Sequence, residues 1–80
     1  MDTREAVVKR TRDLCKNRGI TPNALSNLAG VPQTTVKSIL NGESQNPGIV
    51  TLKKLCDGLD ISITEFFDDD IFRELEQEIY

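Results

Sequence analysis

Apolar residues recur at intervals of three and four along most of this chain, and no segment alternates clearly enough to predict a strand. The spacing predicts five helices. The first runs from about Thr3 to Arg18, with Val7, Val8 and Leu14 inward and Thr11 and Cys15 as further inward candidates. Gly19 ends it, and Ile20 anchors the chain before the next cap. Thr21 can cap the second helix through its hydroxyl, and Pro22 suits the first helical position, where its missing N–H is no loss. Leu25, Leu28 and Ala29 follow at helical spacing, and Gly30 marks a turn that needs positive φ. Pro32 and Gln33 open a third helix that closes at Asn41-Gly42, and Glu43 to Gly48 reads as a loop. Ile49, Leu52, Leu55, Cys56 and Leu59 form the stripe of a fourth helix, with Asp57-Gly58 and Asp60 marking its exit. Thr64 is the expected cap of the fifth, with Glu65 in its first turn and Phe66 and Phe67 packing back.

The tail, Asp68 to Tyr80, repeats the pattern in acidic form. Asp68, Asp69 and Asp70 suit a helix N-terminus, where negative charge opposes the positive dipole end. Ile71, Phe72, Leu75 and Ile79 would then share one face. That face has two outlets, packing on this chain's own core or a homodimer interface, and the periodicity does not separate them.

The third helix is the chemically distinctive one. At about 100° per residue, Gln33, Thr34, Lys37, Ser38 and Asn41 share one arc, Val36, Ile39 and Leu40 lie opposite, and Thr35 sits at the boundary. The polar arc carries an amide, an ammonium and hydroxyls, groups that bond base edges and phosphates. Placed after a short helix and the Gly30 turn, it reads as the second half of a helix-turn-helix, the element that sets its second helix in the DNA major groove. An ordinary amphipathic surface helix is the plainer reading of that segment taken alone.

Two blocks resemble a known family. They are TPNALSNLAGVPQTTVKSILNG, Thr21 to Gly42, and NPGIVTLKKLCDGLDISITEFF, Asn46 to Phe67. The chain is similar there, and over about residues 4 to 67, to the Cro/cI-type, lambda-repressor-like helix-turn-helix regulators of the xenobiotic-response-element family. The resemblance implies an all-α fold: a compact five-helix DNA-binding domain over 1–67, followed here by the acidic amphipathic helix over 68–80. It implies that the third helix recognises DNA and that the C-terminal region makes a two-fold contact. Ser26 stands where the family usually has alanine, Thr11 where many members have isoleucine, and Leu40 where glutamate is common. Pro22 removes a donor and a side chain from a position that often contacts DNA.

The expected base contacts are Gln33, Thr34, Lys37 and Ser38, with Gln33 suited to adenine and Lys37 to guanine or a phosphate. Expected backbone contacts are Thr21, Asn23, Thr35, Asn41, Gln45 and Asn46. Asn41 carries over from a family position that often bonds phosphate; Gln45 and Asn46 come from loop placement. A dimer through Ile71, Phe72, Leu75 and Ile79 would set two recognition helices about one DNA turn apart and imply a near-palindromic operator.

Charge complicates the picture. The net charge is −3, but residues 1–56 carry nine bases and four acids, and residues 57–80 carry one base and nine acids. A local basic face can still attract phosphate, because screening acts over about 8–10 Å at physiological salt. The chain has no histidine, and Cys15 and Cys56 match no zinc spacing, so neither an enzyme nor a metal or cofactor site is expected. Both cysteines read as small buried apolar residues. The adjacent carboxylates of Asp68 to Asp70 lack the longer pattern of a calcium loop. At eighty residues the chain is one small domain, with no apolar run approaching the roughly 20 residues of a membrane span. A cytoplasmic repressor is the expectation. The rival is a protein-interaction module, or an antitoxin-like regulator subunit, on the same fold. The third helix speaks against that rival, having Lys37 and no acidic residue to repel phosphate.

Overall fold

Asp2 starts the first helix. In the computed structural model, which describes residues 1–79, its carboxylate accepts from Glu5 N–H at 2.8 Å, while the Glu5 carboxylate reaches back to Asp2 N–H. That reciprocal box opens α1, Thr3–Arg18. The Glu5 N–H bond also holds the Asp2 carboxyl below its ordinary pKa of 3.8. Four more helices follow: α2, Pro22–Ala29; α3, Gln33–Leu40; α4, Ile49–Gly58; and α5, Ile63–Phe67. Among the described residues there is no strand, and no helix is long and apolar enough to cross a membrane.

The helix ends follow local chemistry. Thr21 Oγ1 accepts from Ala24 N–H at 3.1 Å and Pro22 takes the first turn of α2, as their side chains predict. Gly19 and Gly30 each stop a helix in the left-handed region, at φ 66. The α4 exit falls where Asp57-Gly58 and Asp60 mark it. Gly58 is still helical, and the left-handed residue is Asp60, at φ 57, beyond which Ile61 N–H closes on Cys56 O at 3.0 Å. Gly58 serves packing instead. A Cβ placed on it would lie 2.9 Å from the backbone nitrogen of Ala29, so its lack of a side chain lets α4 approach the end of α2.

The fifth helix begins earlier than Thr64. Ser62 Oγ accepts from Glu65 N–H at 3.0 Å, and Glu65 Oε1 accepts from Ser62 N–H at 3.1 Å. The capping box is the Ser62-to-Glu65 spacing, which places Thr64 inside the first turn.

The core gathers Val7, Cys15, Leu25, Val31, Val36, Ile39, Leu40, Leu52, Leu55, Cys56, Leu59 and Phe66. Each large side chain removed from water contributes about 1.5–3 kcal/mol. On α1 the inward row is Val7, Thr11 and Cys15, four residues apart, so Val8 and Leu14 are only half-buried. Thr11 is fully buried because its hydroxyl donates to Val7 O at 2.8 Å and leaves no polar atom unmet. Ser26 is buried for the same reason, donating to Asn23 O at 2.8 Å. Ile49, expected in the α4 stripe, is 60% exposed at the helix's first residue, and Leu28 is exposed on α2.

The tail departs most from expectation. Instead of a continuous helix from Asp68 onward, the chain makes a single 3-10 turn at Asp70–Phe72 and then runs irregularly; Tyr80, the last residue of the expected helix, lies outside the described residues. The Asp69 carboxylate accepts from Ile71 N–H at 3.0 Å, and Arg73 pairs with Asp68 and Asp70 at 2.6 and 2.8 Å. Phe72 packs its ring 4.9 Å from Phe67 and 6.0 Å from Phe66. A helix beyond that point would stack Asp70 under Glu74 and Glu74 under Glu78, like charges one turn apart. The chain instead crosses the start of α1, where Thr3 Oγ1 donates to Glu78 Oε2 at 2.9 Å and Glu76 N–H donates to Met1 O at 3.3 Å. Ile71, Phe72 and Leu75 are half-buried against this chain, and Ile79 is 84% exposed.

Candidate nucleic-acid interface

The helix-turn-helix is built from α2, the Gly30–Pro32 turn and α3. Val31 N–H closes on Ser26 O at 3.1 Å, and Val31 folds inward to seal the turn. On α3, Val36, Ile39 and Leu40 are buried, while Gln33, Thr34, Lys37 and the flanking Asn41 are exposed. Thr35 and Ser38 are half-buried at the margins. Pro32 precedes α3 without a side-chain cap, and among the described residues Thr35 N–H is the first of the helix to find an acceptor, Pro32 O at 3.0 Å. The N–H groups of Gln33 and Thr34 therefore face outward from the positive helix end.

Two shallow grooves flank this face. One is lined by Arg12, Thr21, Pro22, Asn23, Lys37, Leu40 and Asn41, and so joins the start of α2 to the far end of α3. Thr21 accepts from its own helix there, which leaves its hydroxyl hydrogen free to donate outward. The other groove brings Thr34, Thr35 and Ser38 beside Ser44, Asn46 and Thr51. Nine of the ten expected contact residues lie on or beside this one surface. Gln45 is the exception; it lines an adjoining hollow with Asp2, Arg4 and Glu78, which shares Asn46 with that groove.

Sequence reasoning missed Ser44, Thr51 and, above all, Arg4, Arg10 and Arg12 of α1. Arg12 Nη2 donates to Leu40 O at 2.6 Å, and Arg4 Nη1 donates to Gly42 O. Arg10 donates to Phe66 O at 2.7 Å and to Glu65 O at 2.8 Å, and pairs with Asp69 at 3.4 Å. These side chains neither solvate α1 nor form a free basic stripe; they satisfy carbonyls at the ends of α3 and α5. No local pattern announces such bonds, whose partners lie 28 to 56 residues away.

Cys15 and Cys56 are free and buried, and burial pushes both thiols above their ordinary pKa. What remains is a tight two-helix motif with a polar outer face and an uncapped positive end, carried by three supporting helices. That defines a helix-turn-helix DNA-binding domain.

The chain belongs to the Cro/C1-type HTH DNA-binding domain family, which matches residues 11–70. Among solved structures it is similar to prophage Lp1 protein 11, with 36% identity over 94% of this chain and all of that one, at a TM-score of 0.80. The same fold appears in a point mutant of the restriction-modification controller protein C.Esp1396I, with 21% identity, 92% of each chain covered and a TM-score of 0.77. The chain has no significant match among curated proteins.

Proposed function

We propose that this protein is a sequence-specific, double-stranded DNA-binding transcriptional regulator that lays α3 in the major groove. The observation that carries the reading is the exposed polar face of α3, flanked on both sides by grooves that gather Thr21, Asn23 and Asn41 on one side and Ser44 and Asn46 on the other. Base edges fall to Gln33, Thr34, Lys37 and Ser38, and phosphates to Thr21, Asn23, Thr35, Asn41 and Asn46. Gln45 joins the backbone set at its edge, beside Asn46.

Repression by blocking polymerase, in the cytoplasm, is the simplest mechanism for a domain of this kind. A two-fold dimer on a near-palindromic site extends the reading. Exposed Ile79, with the half-buried Ile71, Phe72 and Leu75, is the apolar part of the tail that a second copy could cover.

The test is selection of bound duplexes from a random pool at about 0.15 M salt, near physiological ionic strength. An enriched inverted repeat supports a sequence-specific dimer, and an enriched single half-site supports a monomer. Recovery of no preferred sequence would sink the reading and put a protein-interaction module in its place.

A further inference from the structure

The far end of α3 is held from outside the motif. Along that end, Lys37 O accepts from Asn41 N–H at 2.8 Å, Ser38 O from Glu43 and Ser44 N–H at 2.9 and 3.1 Å, and Ile39 O from Gly42 N–H at 3.1 Å. Leu40 O and Gly42 O are met instead by Arg12 and Arg4 of α1. A helix C-terminus carries unpaired carbonyls and partial negative charge, so the Arg12 guanidinium satisfies α3 on both counts, and Arg4 pins the turn that follows it. The two arginines stand eight residues apart, on the same side of α1.

Directionality gives these bonds a consequence that burial lacks. Val36, Ile39 and Leu40 hold α3 to the core through apolar contact, which resists separation but is non-directional. A guanidinium donates within a fixed plane, so each arginine sets a direction as well as a distance. One such bond to the last residue of an eight-residue helix, and a second to the turn two residues beyond it, oppose its sliding along α1 and its rotation about its own axis.

We infer that Arg4 and Arg12 are positioning residues for DNA recognition, fixing the angle at which α3 meets the duplex. The inference rests on the reading that α3 contacts bases. Arg12 also lines the groove beside Lys37 and Asn41, so a direct phosphate contact is the competing role.

The experiment separates them. Arg4→Met and Arg12→Met keep the aliphatic stems and lose the donors, whereas Arg4→Lys and Arg12→Lys keep a charge and a donor. Affinity is measured for the enriched duplex and for a scrambled one, across a salt series and well below each protein's melting transition. The Met variants are expected to lower the ratio of specific to scrambled affinity at least about fivefold, the scale of one misplaced base contact, with the Lys variants recovering part of it. Equal loss on both duplexes, with a salt slope shallower by about one, would make Arg12 a phosphate contact and overturn the inference. An unchanged ratio with a lowered melting temperature would reduce both residues to structural supports and overturn it equally. If a Met variant does not fold, its Lys counterpart carries the same comparison, because a point donor without the planar fork must still lose part of the ratio. A wild-type protein that prefers no sequence would sink the underlying reading and this inference with it; a discriminating wild type with unaffected variants sinks the inference alone.

Discussion

Gln33 and Gly58 show how differently single residues can matter here. Gln33 is exposed at the first position of α3 and touches no part of the core, so its removal should leave the melting temperature unchanged. Gln33→Ala is expected to cost about 1–3 kcal/mol on the selected duplex and to relax preference at one base position. Binding measured across single-base variants of the site checks this, and uniform loss on every variant would count against a base contact. Gly58 is the converse. A methyl group there meets the backbone of Ala29 at 2.9 to 3.1 Å, and neither α2 nor α4 can give way without opening the core at Leu25 and Leu55. Alanine is the better helix former by about 1 kcal/mol, but overpacking costs about 1–3 kcal/mol. Gly58→Ala should therefore lower the urea midpoint, and a raised midpoint would show that the two helices separate easily.

At the scale of elements, the short α5 depends on its cap. Five residues cannot sustain a helix alone, so the Ser62 and Glu65 box and the burial of Phe66 must hold it. Ser62→Ala is expected to cost about 1 kcal/mol in chemical denaturation, whereas Thr64→Ala should be near neutral. Equal costs would mean that the helix is set by Phe66 alone. The same element shows what is legible in a sequence. Serine three residues before glutamate is a local signal, present at Ser62 and Glu65, and Thr64 competes with it only by standing nearer the phenylalanines. Elsewhere local signals suffice: Thr21, Pro22 and Gly30 place α2, and the opposed faces of α3 place its buried and exposed residues, because each depends on neighbours within one turn. The tail misleads because its 3.6-residue period competes with like charges in series and with a non-local pull, Glu78 on Thr3. The bonds of Arg4 and Arg12 beside the proposed DNA face are illegible, since nothing beside them in sequence marks the carbonyls they reach.

For the whole molecule, charge and mechanics act together. The acidic tail is tied across the start of α1, and Glu78 shares a hollow with Gln45 and Asn46 at the edge of the proposed DNA face. A chain ending at Phe72 loses three glutamates and one arginine. Each of the two net charges removed, about a Debye length from phosphate, is worth about 0.4 kcal/mol before screening. Affinity for random duplex should then rise about threefold at low salt and hardly at all at high salt, as titrations at two ionic strengths would show. No change at low salt would mean that the tail's charge is not felt at the DNA face. The interlock between α2 and α4 has a further consequence. With Gly58 of α4 seated against Ala29 of α2, and Arg12 of α1 bonded to Leu40 O at the end of α3, the motif has little room to adjust to an imperfect groove. A reading head that does not yield passes the work of fitting to the duplex, whose readiness to bend or narrow depends on steps the protein never touches. The preferred site would then be defined partly by the flexibility of its uncontacted central bases.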